Sequence, residues 1–179
     1  MSKAVLISIR QEWVRKILNG SKTVEIRKTA PKCGVPFKCY IYCTTGGKGA
    51  LMVKANAVAA AITAESACER EQAEAFGYEA ANGKVVAEFT CNKIGTVYPL
   101  CMIPKVDACL TREDIYKYLG TEHGYGMQID DLKIYDHPRE LREFYAVPNE
   151  VEVALKAKSK PVTRPPQSWR YVEEETWND

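Results

Sequence analysis

Three charged side chains that could do chemistry lie close together near the N-terminus: Lys22, Glu25 and Arg27. Between them Val24 and Ile26 alternate with the charged residues, and this alternation predicts a short β-strand. Side chains of a strand alternate between its two faces, so Glu25 and Arg27 should point to the same side. A carboxylate and a guanidinium placed in this way can pair with each other or with a polar ligand. The alternative is a solvated strand face with a weak surface ion pair.

The residues before the charged strand predict the elements that must hold it. The apolar run 5–9 is typical of a buried strand, and Ser8 followed by Gln11 matches a capping box that would open a helix. Gly20 stands where a glycine commonly ends a helix. The apolar stripe of the predicted helix comprises Trp13, Val14, Ile17 and Leu18. The expected order is therefore strand, helix, tight turn and charged strand.

Positive charge is concentrated in the first 54 residues, which contain eleven Lys or Arg against two acidic residues, whereas the remainder contains fourteen against twenty-one. Lys28 follows the charged strand, and Tyr40 and Tyr42 alternate on the next predicted strand, where we expect them to face outward. Basic residues interleaved with aromatic side chains suit a single-stranded nucleic acid or an unpaired base. The alternative is that the acidic part of the chain covers the basic part on folding.

The middle of the chain predicts an insertion and one further strand. Residues 55–81 are rich in Ala, Glu and Gln and favour helix, starting at Ser66 or Thr63. This segment could lie over a cleft as a lid or simply pack as a helix. Residues 84–91 alternate as a strand, with Glu88 either exposed or directed toward the cleft.

The C-terminal half predicts three further elements. Thr111 should cap a short helix that ends at Gly120, and residues 125–135 read as one long strand. Pro138 fits the first turn of another helix. Trp169 and Tyr171 should belong to a last edge strand.

Composition bounds the classes of protein to which the chain can belong. The sequence contains no run of about 18 apolar residues, and its start lacks the length of a secretory signal. Seven cysteines include no Cys-x-x-Cys pair, and the only histidines are His123 and His137. We therefore expect no metal and no cofactor, reduced cysteines and a cytoplasmic location.

These features resemble the ASCH domain of the PUA-like superfamily. The N-terminal signature of that family is a strand, a helix and then Gly-x-Lys-x-x-Glu-x-Arg, which here reads Gly20, Lys22, Glu25 and Arg27. Segments that look like the later strands are 38–44, 82–91 and 124–132, and the segment 165–172 is similar to the end of a small bacterial and phage subfamily. The likeness covers most of the chain apart from residues 46–81.

The resemblance implies an α+β fold of the PUA-like type, a twisted, partly closed mixed β-barrel with flanking helices and a cleft beside the charged strand. It implies a single domain over residues 1–179 with a helical insertion near 46–81. Together with the charge pattern it indicates a binding module, with a basic cleft for single-stranded RNA or for a nucleotide or nucleoside, that could serve regulation. The expected ligand-binding residues are Lys22, Glu25, Arg27, Lys28, Tyr40, Tyr42 and Tyr125.

The resemblance also implies an alternative enzymatic function. ASCH members that hydrolyse acylated pyrimidine nucleosides use a lysine, a nearby threonine and a strand glutamate. Lys22 and Glu88 correspond to the lysine and the glutamate, but Glu25 stands in the threonine position. A carboxylate cannot replace a hydroxyl nucleophile, although it could act as a general base for water. The alternative is therefore a hydrolase, an amidohydrolase on a modified pyrimidine nucleoside or a weak ribonuclease, that uses Lys22, Glu25 and Glu88.

A third interpretation needs no ligand. Lys22, Glu25 and Arg27 could form an ion-pair network whose only role is to stabilise the fold.

Overall fold

The fold is built from three β-sheets and three α-helices in the part of the chain that the computed structural model describes, residues 2–98, 108–148, 153–154 and 158–175. The helices are α1 Gln11–Leu18, α2 Ala67–Ala75 and α3 Arg112–Leu119, with a 3₁₀ turn at Leu141–Glu143. The strands are β1 Lys3–Ile9, β2 Val24–Arg27, β3 Phe37–Cys43, β4 Ala50–Val53, β5 Ala61–Ala64, β6 Glu79–Ala80, β7 Val85–Cys91, β8 Ile94–Val97, β9 Gly124–Gln128, β10 Asp130–Arg139, β11 Tyr145–Ala146, β12 Lys160–Pro161 and β13 Trp169–Glu173.

The largest sheet has seven strands in the order β10-β7-β3-β1-β13-β11-β12. It is mixed, because β1 and β3 run parallel whereas β1 and β13 run antiparallel. The predicted α+β class is confirmed, and closure of the sheets into a barrel stays a prediction. Trp169 and Tyr171 do lie in a strand, but the prediction of an edge strand is wrong, since β13 pairs with β1 on one side and β11 on the other.

Strand β1 is central and buried on both faces, as its uninterrupted apolar run predicts. Val5, Ile7 and Ile9 enter the main core, where the apolar side chains of α1 also pack. Ala4 and Leu6 face a second core on the opposite side of the sheet. This burial makes β1 a rigid support for the residues at its C-terminal end.

The charged strand β2 belongs to a three-stranded sheet of order β2-β9-β8. Val24 and Ile26 pack with apolar residues of α3, including Ile115. Glu25 and Arg27 therefore point to the other face, as the predicted alternation requires. Helix α3 begins after Thr111, which accepts a hydrogen bond from the Asp114 N–H, and ends at Gly120 with φ of 60°.

Residues 46–81 do not form the expected helical insertion. Strands β5, β4 and β6 make a small antiparallel sheet, and α2 is a single helix of nine residues that begins after Ser66 with a capping box. The side chains of Leu51, Met52 and Val53 are buried in this sheet. Pairing with the buried strand β4 holds residues 61–64 and 79–80 in strands, which outweighs the weak helix preference of the Ala-rich composition there.

Two other elements differ from expectation. A register shift between β3 and β7 places Val85 in the second core and Val86 in the main core, so the simple alternation of that strand fails at its start. The segment 125–135 is divided between β9 and β10, with Asp131 in the left-handed region at φ of 48°. Pro138 lies within β10 and does not open a helix.

Within the described ranges, no helix is long and apolar enough to cross a membrane. Cys39, Cys43 and Cys91 are buried free thiols, and Cys33 and Cys68 are exposed ones.

Candidate functional site

The charged strand carries a buried ion-pair triad. Glu25 Oε1 lies 2.9 Å from Arg27 Nη2, and Glu25 Oε2 lies 3.3 Å from Lys22 Nζ. The three residues are only 2–7% exposed. One carboxylate thus bridges two cations, and the alternative of a weak surface pair does not describe this site.

The ammonium group of Lys22 is fully engaged by the protein. Besides Glu25, it donates to the backbone oxygens of Val24 at 2.8 Å and Ala108 at 2.9 Å. An ammonium has three N–H groups, so all of them are used. Lys22 therefore joins β2 to the segment that leads into α3, and it could contact a ligand only by giving up one of these partners.

Arg27 differs from Lys22 in having a donor to spare. Its Nη2 donates to the backbone oxygen of Ser8 at 2.7 Å in addition to pairing with Glu25. Its Nε is buried and has no hydrogen-bond partner among the described residues. An unsatisfied buried donor costs about 1–3 kcal/mol, so an acceptor that reached Nε would be bound favourably.

The turn after α1 places Lys22 at the start of β2. Gly20 adopts φ of 75°, in the left-handed region where glycine is favoured, and the backbone N–H groups of Ser21 and Lys22 both donate to the oxygen of Lys16. Trp13 of α1 then lies beside the triad, with its ring centroid 5.5 Å from Lys22 Nζ. Trp13 packs against the main core, as its place in the apolar stripe predicts, and it also lines the cleft beside the triad.

A cleft of about 930 Å³ opens beside the triad. Its lining comes from the end of β1 and the start of α1, from β2, from the end of β3 and the loop that follows it, from α3, and from residues 165–168. The charged residues that line it are Arg10, Glu12, Lys22, Glu25, Arg27, Lys28 and Asp114. Four cations thus face three carboxylates, and the cleft is much less basic than the sequence indicated.

Asp114 supplies a carboxylate on the α3 side of the cleft. Thr111 donates its hydroxyl to Asp114 Oδ2 at 2.6 Å, and this hydrogen bond, with a second from the Thr111 backbone, holds the pKa of the Asp114 carboxyl below its ordinary value. Tyr118, one turn further along α3, is 41% exposed and also lines the cleft. The α3 wall therefore offers an anionic group and an aromatic ring.

Residues 165–168 form the opposite wall and are tied to β1. Ser8 Oγ donates to the oxygen of Pro166 at 2.6 Å, and the Ser8 N–H donates to the oxygen of Ser168 at 3.0 Å. The predicted capping role of Ser8 is wrong, since α1 starts after Arg10 without a side-chain cap. The hydroxyl of Ser8 therefore anchors residues 165–168 to β1 and does not cap α1.

The structure brings five of the expected site residues together at the cleft: Lys22, Glu25, Arg27, Lys28 and Tyr42. Tyr42 does not face outward, because it is only 6% exposed and packs in the second core. Two aromatic residues of the lining, Trp13 and Tyr118, were not expected there. Of these two, only Trp13 could have been found from the sequence, because it lies on the predicted helix that comes just before the charged strand.

Tyr40 lies away from the cleft and is completely buried. Its hydroxyl accepts a hydrogen bond from the N–H of Glu175 at 2.7 Å, and its ring packs against Phe144 at 4.9 Å between centroids. Burial raises the pKa of the Tyr40 hydroxyl above its ordinary value. The expectation that Tyr40 faces outward is wrong, since elements from the C-terminal half cover this face of the sheet.

Glu88 also lies outside the cleft lining, directly opposite Tyr40 in the pairing of β3 with β7. Its Oε2 accepts a hydrogen bond from the hydroxyl of Tyr135 at 2.8 Å, and its Oε1 pairs with Lys38 Nζ at 3.2 Å. Burial, together with the Glu88 carboxylate, raises the pKa of Tyr135 well above its ordinary value. Glu88 thus satisfies a buried tyrosine and a lysine of the sheet, and the structure does not join it to Lys22 and Glu25.

Tyr125 sits beside the triad but does not line the described cleft. It pairs with Arg27 across β2 and β9, and its ring contacts His123 at 5.8 Å between centroids. In the described part of the chain, no group of three or more His, Cys, Asp or Glu residues could hold a metal ion.

No protein-family model matches the sequence, and no curated protein matches it. Solved structures, in contrast, do match the structure of this chain. A crystal structure of ASCH from Zymomonas mobilis superposes with a TM-score of 0.57 at 17% identity, covering 96% of this chain and 88% of that chain. A serine-to-alanine mutant of the same protein gives 0.58 at 16% identity, over 96% and 89% of the two chains. The chain therefore has an ASCH domain fold.

Proposed function

We propose that this protein is a binding module whose cleft receives one unpaired base, presented either by RNA or as a free nucleoside or nucleotide. The observation that carries the proposal is the cleft itself, with the buried Lys22–Glu25–Arg27 triad in its lining and a spare donor on Arg27 Nε. A volume of about 930 Å³ lies in the range of small-molecule sites and exceeds what one nucleoside needs. A regulatory role would follow from binding without turnover.

The polar groups of the cleft suit a base better than a chain of phosphates. Arg27 Nε could donate to a carbonyl oxygen or ring nitrogen, and the ionised Asp114 could accept from an exocyclic amino group. Lys28 is exposed at the rim, where a phosphate of RNA or of a nucleotide would remain in water. The near balance of charges inside the cleft argues against a polyphosphate as the main ligand.

Aromatic side chains lie on two sides of the cleft. A base that stacked on them would share each ring with a lysine, because Lys16 Nζ lies 4.6 Å from the Trp13 centroid and Lys28 Nζ 5.8 Å from the Tyr118 centroid. Trp13 is half-buried on α1, and Tyr118 is exposed on α3. Stacking on such rings tolerates any base, since every base has a π-face. The cleft thus combines polar groups that could discriminate between bases with rings that could hold any of them.

The arrangement favours binding over the hydrolase alternative. Each oxygen of Glu25 is paired with a buried cation, so a water that used Glu25 as a general base would have to reach a remaining lone pair of a carboxylate in a residue that is only 6% exposed. Lys22 has no free N–H, and Glu88 is bonded to Tyr135 and Lys38. No acid-base set made of these three residues exists in the described cleft.

A first experiment measures affinity for the four ribonucleosides and their 5′-monophosphates by isothermal titration calorimetry. Tyr118→Ala should weaken the best ligand about tenfold, because loss of one stacking ring costs roughly 1–3 kcal/mol. Tyr116→Ala is the matched control, since Tyr116 is exposed on the same helix but does not line the cleft. Absence of binding to the whole panel, or equal effects of both variants, would contradict the proposal.

A second experiment tests the donor on Arg27. Arg27→Lys keeps a cation beside Glu25 but removes Nε, so ligand affinity should fall about tenfold while the fold persists. Arg15→Lys, an exposed change on α1 outside the cleft lining, is the control. Unchanged affinity of a folded Arg27→Lys protein would show that Nε does not meet the ligand.

A further inference from the structure

Three aromatic rings lie in a row at one end of the β2-β9-β8 sheet. The His123 ring is 6.1 Å from the Tyr98 ring and 5.8 Å from the Tyr125 ring, between centroids. The contact with Tyr125 is edge-to-face at 80°, a geometry that aromatic rings favour. Each ring thus helps to hold its neighbour, and we refer to Tyr98, His123 and Tyr125 as the aromatic row.

The aromatic row begins one strand away from a residue that lines the cleft. Arg27 on the edge strand β2 pairs with Tyr125 on the central strand β9, and Tyr125 pairs with Thr96 on β8. Residues that pair directly across strands share a face of the sheet, with Cβ atoms about 4.5–5.5 Å apart. The row therefore begins beside Arg27, on the face that carries Glu25 and Arg27 into the cleft.

The row is exposed where a core aromatic cluster would be covered. Tyr98 is 50% exposed and His123 is exposed, whereas Tyr125 is half-buried and anchors them to the sheet. Exposed side chains gain little stability from each other, so packing alone does not account for three rings in line. Exposed aromatic rings leading away from a base-sized cleft are the arrangement used to stack successive bases of a single strand.

We propose that the aromatic row stacks the nucleotides that neighbour the one in the cleft, and that the ligand is therefore single-stranded RNA of several nucleotides. This inference rests on the proposed function, since it extends the same site. Lys28 is exposed at the cleft rim one residue after Arg27, with its ammonium 5.8 Å from the Tyr118 ring centroid, and it could meet a phosphate of the strand at the cleft mouth. Tyr125, expected from the sequence to contact ligand inside the cleft, would instead contact the neighbouring base.

The test compares an oligocytidine pentamer with cytidine 5′-monophosphate in the full chain, since cytosine carries both a carbonyl oxygen for Arg27 and an amino group for Asp114. The pentamer should bind at least about tenfold more tightly than the monophosphate. The double variant Tyr98→Ala with His123→Ala should abolish that advantage and leave the affinity for the monophosphate unchanged. Both side chains are exposed, so the variant should fold, and a thermal melt checks this.

Two further variants sharpen the result. Tyr98→Phe with His123→Phe retains the stacking rings and should retain the advantage of the pentamer, whereas Tyr116→Ala removes an exposed tyrosine elsewhere and should change nothing. Two results would refute stacking on the aromatic row and leave the proposed function intact. One is equal affinity of the wild-type protein for pentamer and monophosphate, and the other is a pentamer advantage that survives the double alanine variant. Loss of binding to both ligands in the wild-type protein would instead refute the proposed function.

Discussion

Glu25 and Arg27 form a buried ion pair, with Oε1 and Nη2 2.9 Å apart on the same face of β2. Because the second oxygen of Glu25 pairs with Lys22, one carboxylate neutralises two buried cations. Glu25 thus has a cationic partner on each of its carboxylate oxygens. This relationship fixes the side chains of Glu25 and Arg27 in the lining of the cleft, and it leaves Arg27 Nε buried without a hydrogen-bond partner among the described residues.

Replacement of Glu25 by Gln should destabilise the fold severely. The change keeps the volume but leaves two buried cations without a counter-charge, and breaking such a pair costs about 3–5 kcal/mol. Urea unfolding gives the free energy. The matched control is Glu140→Gln, which weakens a largely exposed pair with Lys84 at 3.8 Å and should cost less than about 1 kcal/mol. Similar losses in the two variants would show that the triad does not stabilise the protein.

Glu88→Gln should leave ligand binding unaffected while it lowers stability. Glutamine can still accept the hydrogen bond from Tyr135, but the ion pair with Lys38 is lost, so we expect a cost of about 1 kcal/mol. Calorimetric titration with the best ligand of the nucleoside panel and urea unfolding measure the two effects. A drop of tenfold or more in affinity, with little change in stability, would indicate that Glu88 takes part in ligand binding.

Lys28→Ala should reduce the salt dependence of RNA binding. Each phosphate contact to a single strand contributes about 0.7 to the slope of log affinity against log salt, so the slope should fall by about that amount. Fluorescence anisotropy with a labelled oligocytidine pentamer at several salt concentrations measures it. Lys117→Ala, an exposed change on α3 that does not line the cleft, should leave the slope as it is. A slope that does not differ between the two variants would show that Lys28 does not contact a phosphate of the RNA.

The buried thiols should resist alkylation and make stability fall at high pH. Burial raises the pKa of Cys91 to about 11 and that of Cys43 to about 12, against an ordinary value of 9.0. The unfolded chain therefore loses these protons first as pH rises above about 9, which favours unfolding until the folded pKa values are passed.

Mass spectrometry after iodoacetamide treatment at pH 8 checks the thiols. Cys68 should react before Cys33, because desolvation also raises the pKa of the partly covered Cys33, and Cys39, Cys43 and Cys91 should react only on unfolding. Urea unfolding between pH 8 and pH 11 checks the stability. Rapid labelling of Cys91 in the folded protein, or stability that is constant over this range, would contradict the assignment.

Local patterns predicted the elements that depend on short stretches of chain. The alternation of Val24 and Ile26 with charged residues predicted β2 and its two faces, and Gly20 predicted the turn before it. Thr111 and Gly120 predicted both ends of α3. In each case the deciding interactions join residues a few positions apart, so their signal is present in the sequence.

Predictions that required knowledge of distant contacts were less successful. Tyr40 alternates like an exposed aromatic residue, but Phe144 and Glu175 cover it. The Ala-rich segment 55–81 favours helix on local preference, yet pairing with β4 makes strands β5 and β6 of two parts of it, and α2 is its one α-helix. The register shift at Val85 likewise arises from pairing with β3, which no local pattern records.

The sequence by itself determined that Glu25 and Arg27 share one face of a short strand after a helix, because spacing along the chain sets the face of each side chain. Lys22 precedes that strand, and alternation alone would place it on the face of Val24 and Ile26. Only the tertiary structure decided what those charges do. The oxygen of Ala108 engages Lys22, the oxygen of Ser8 engages Arg27, and residues 165–168 close the cleft. These partners come from distant parts of the chain, and hydrogen bonds between distant residues exist only once folding has brought their backbones within reach.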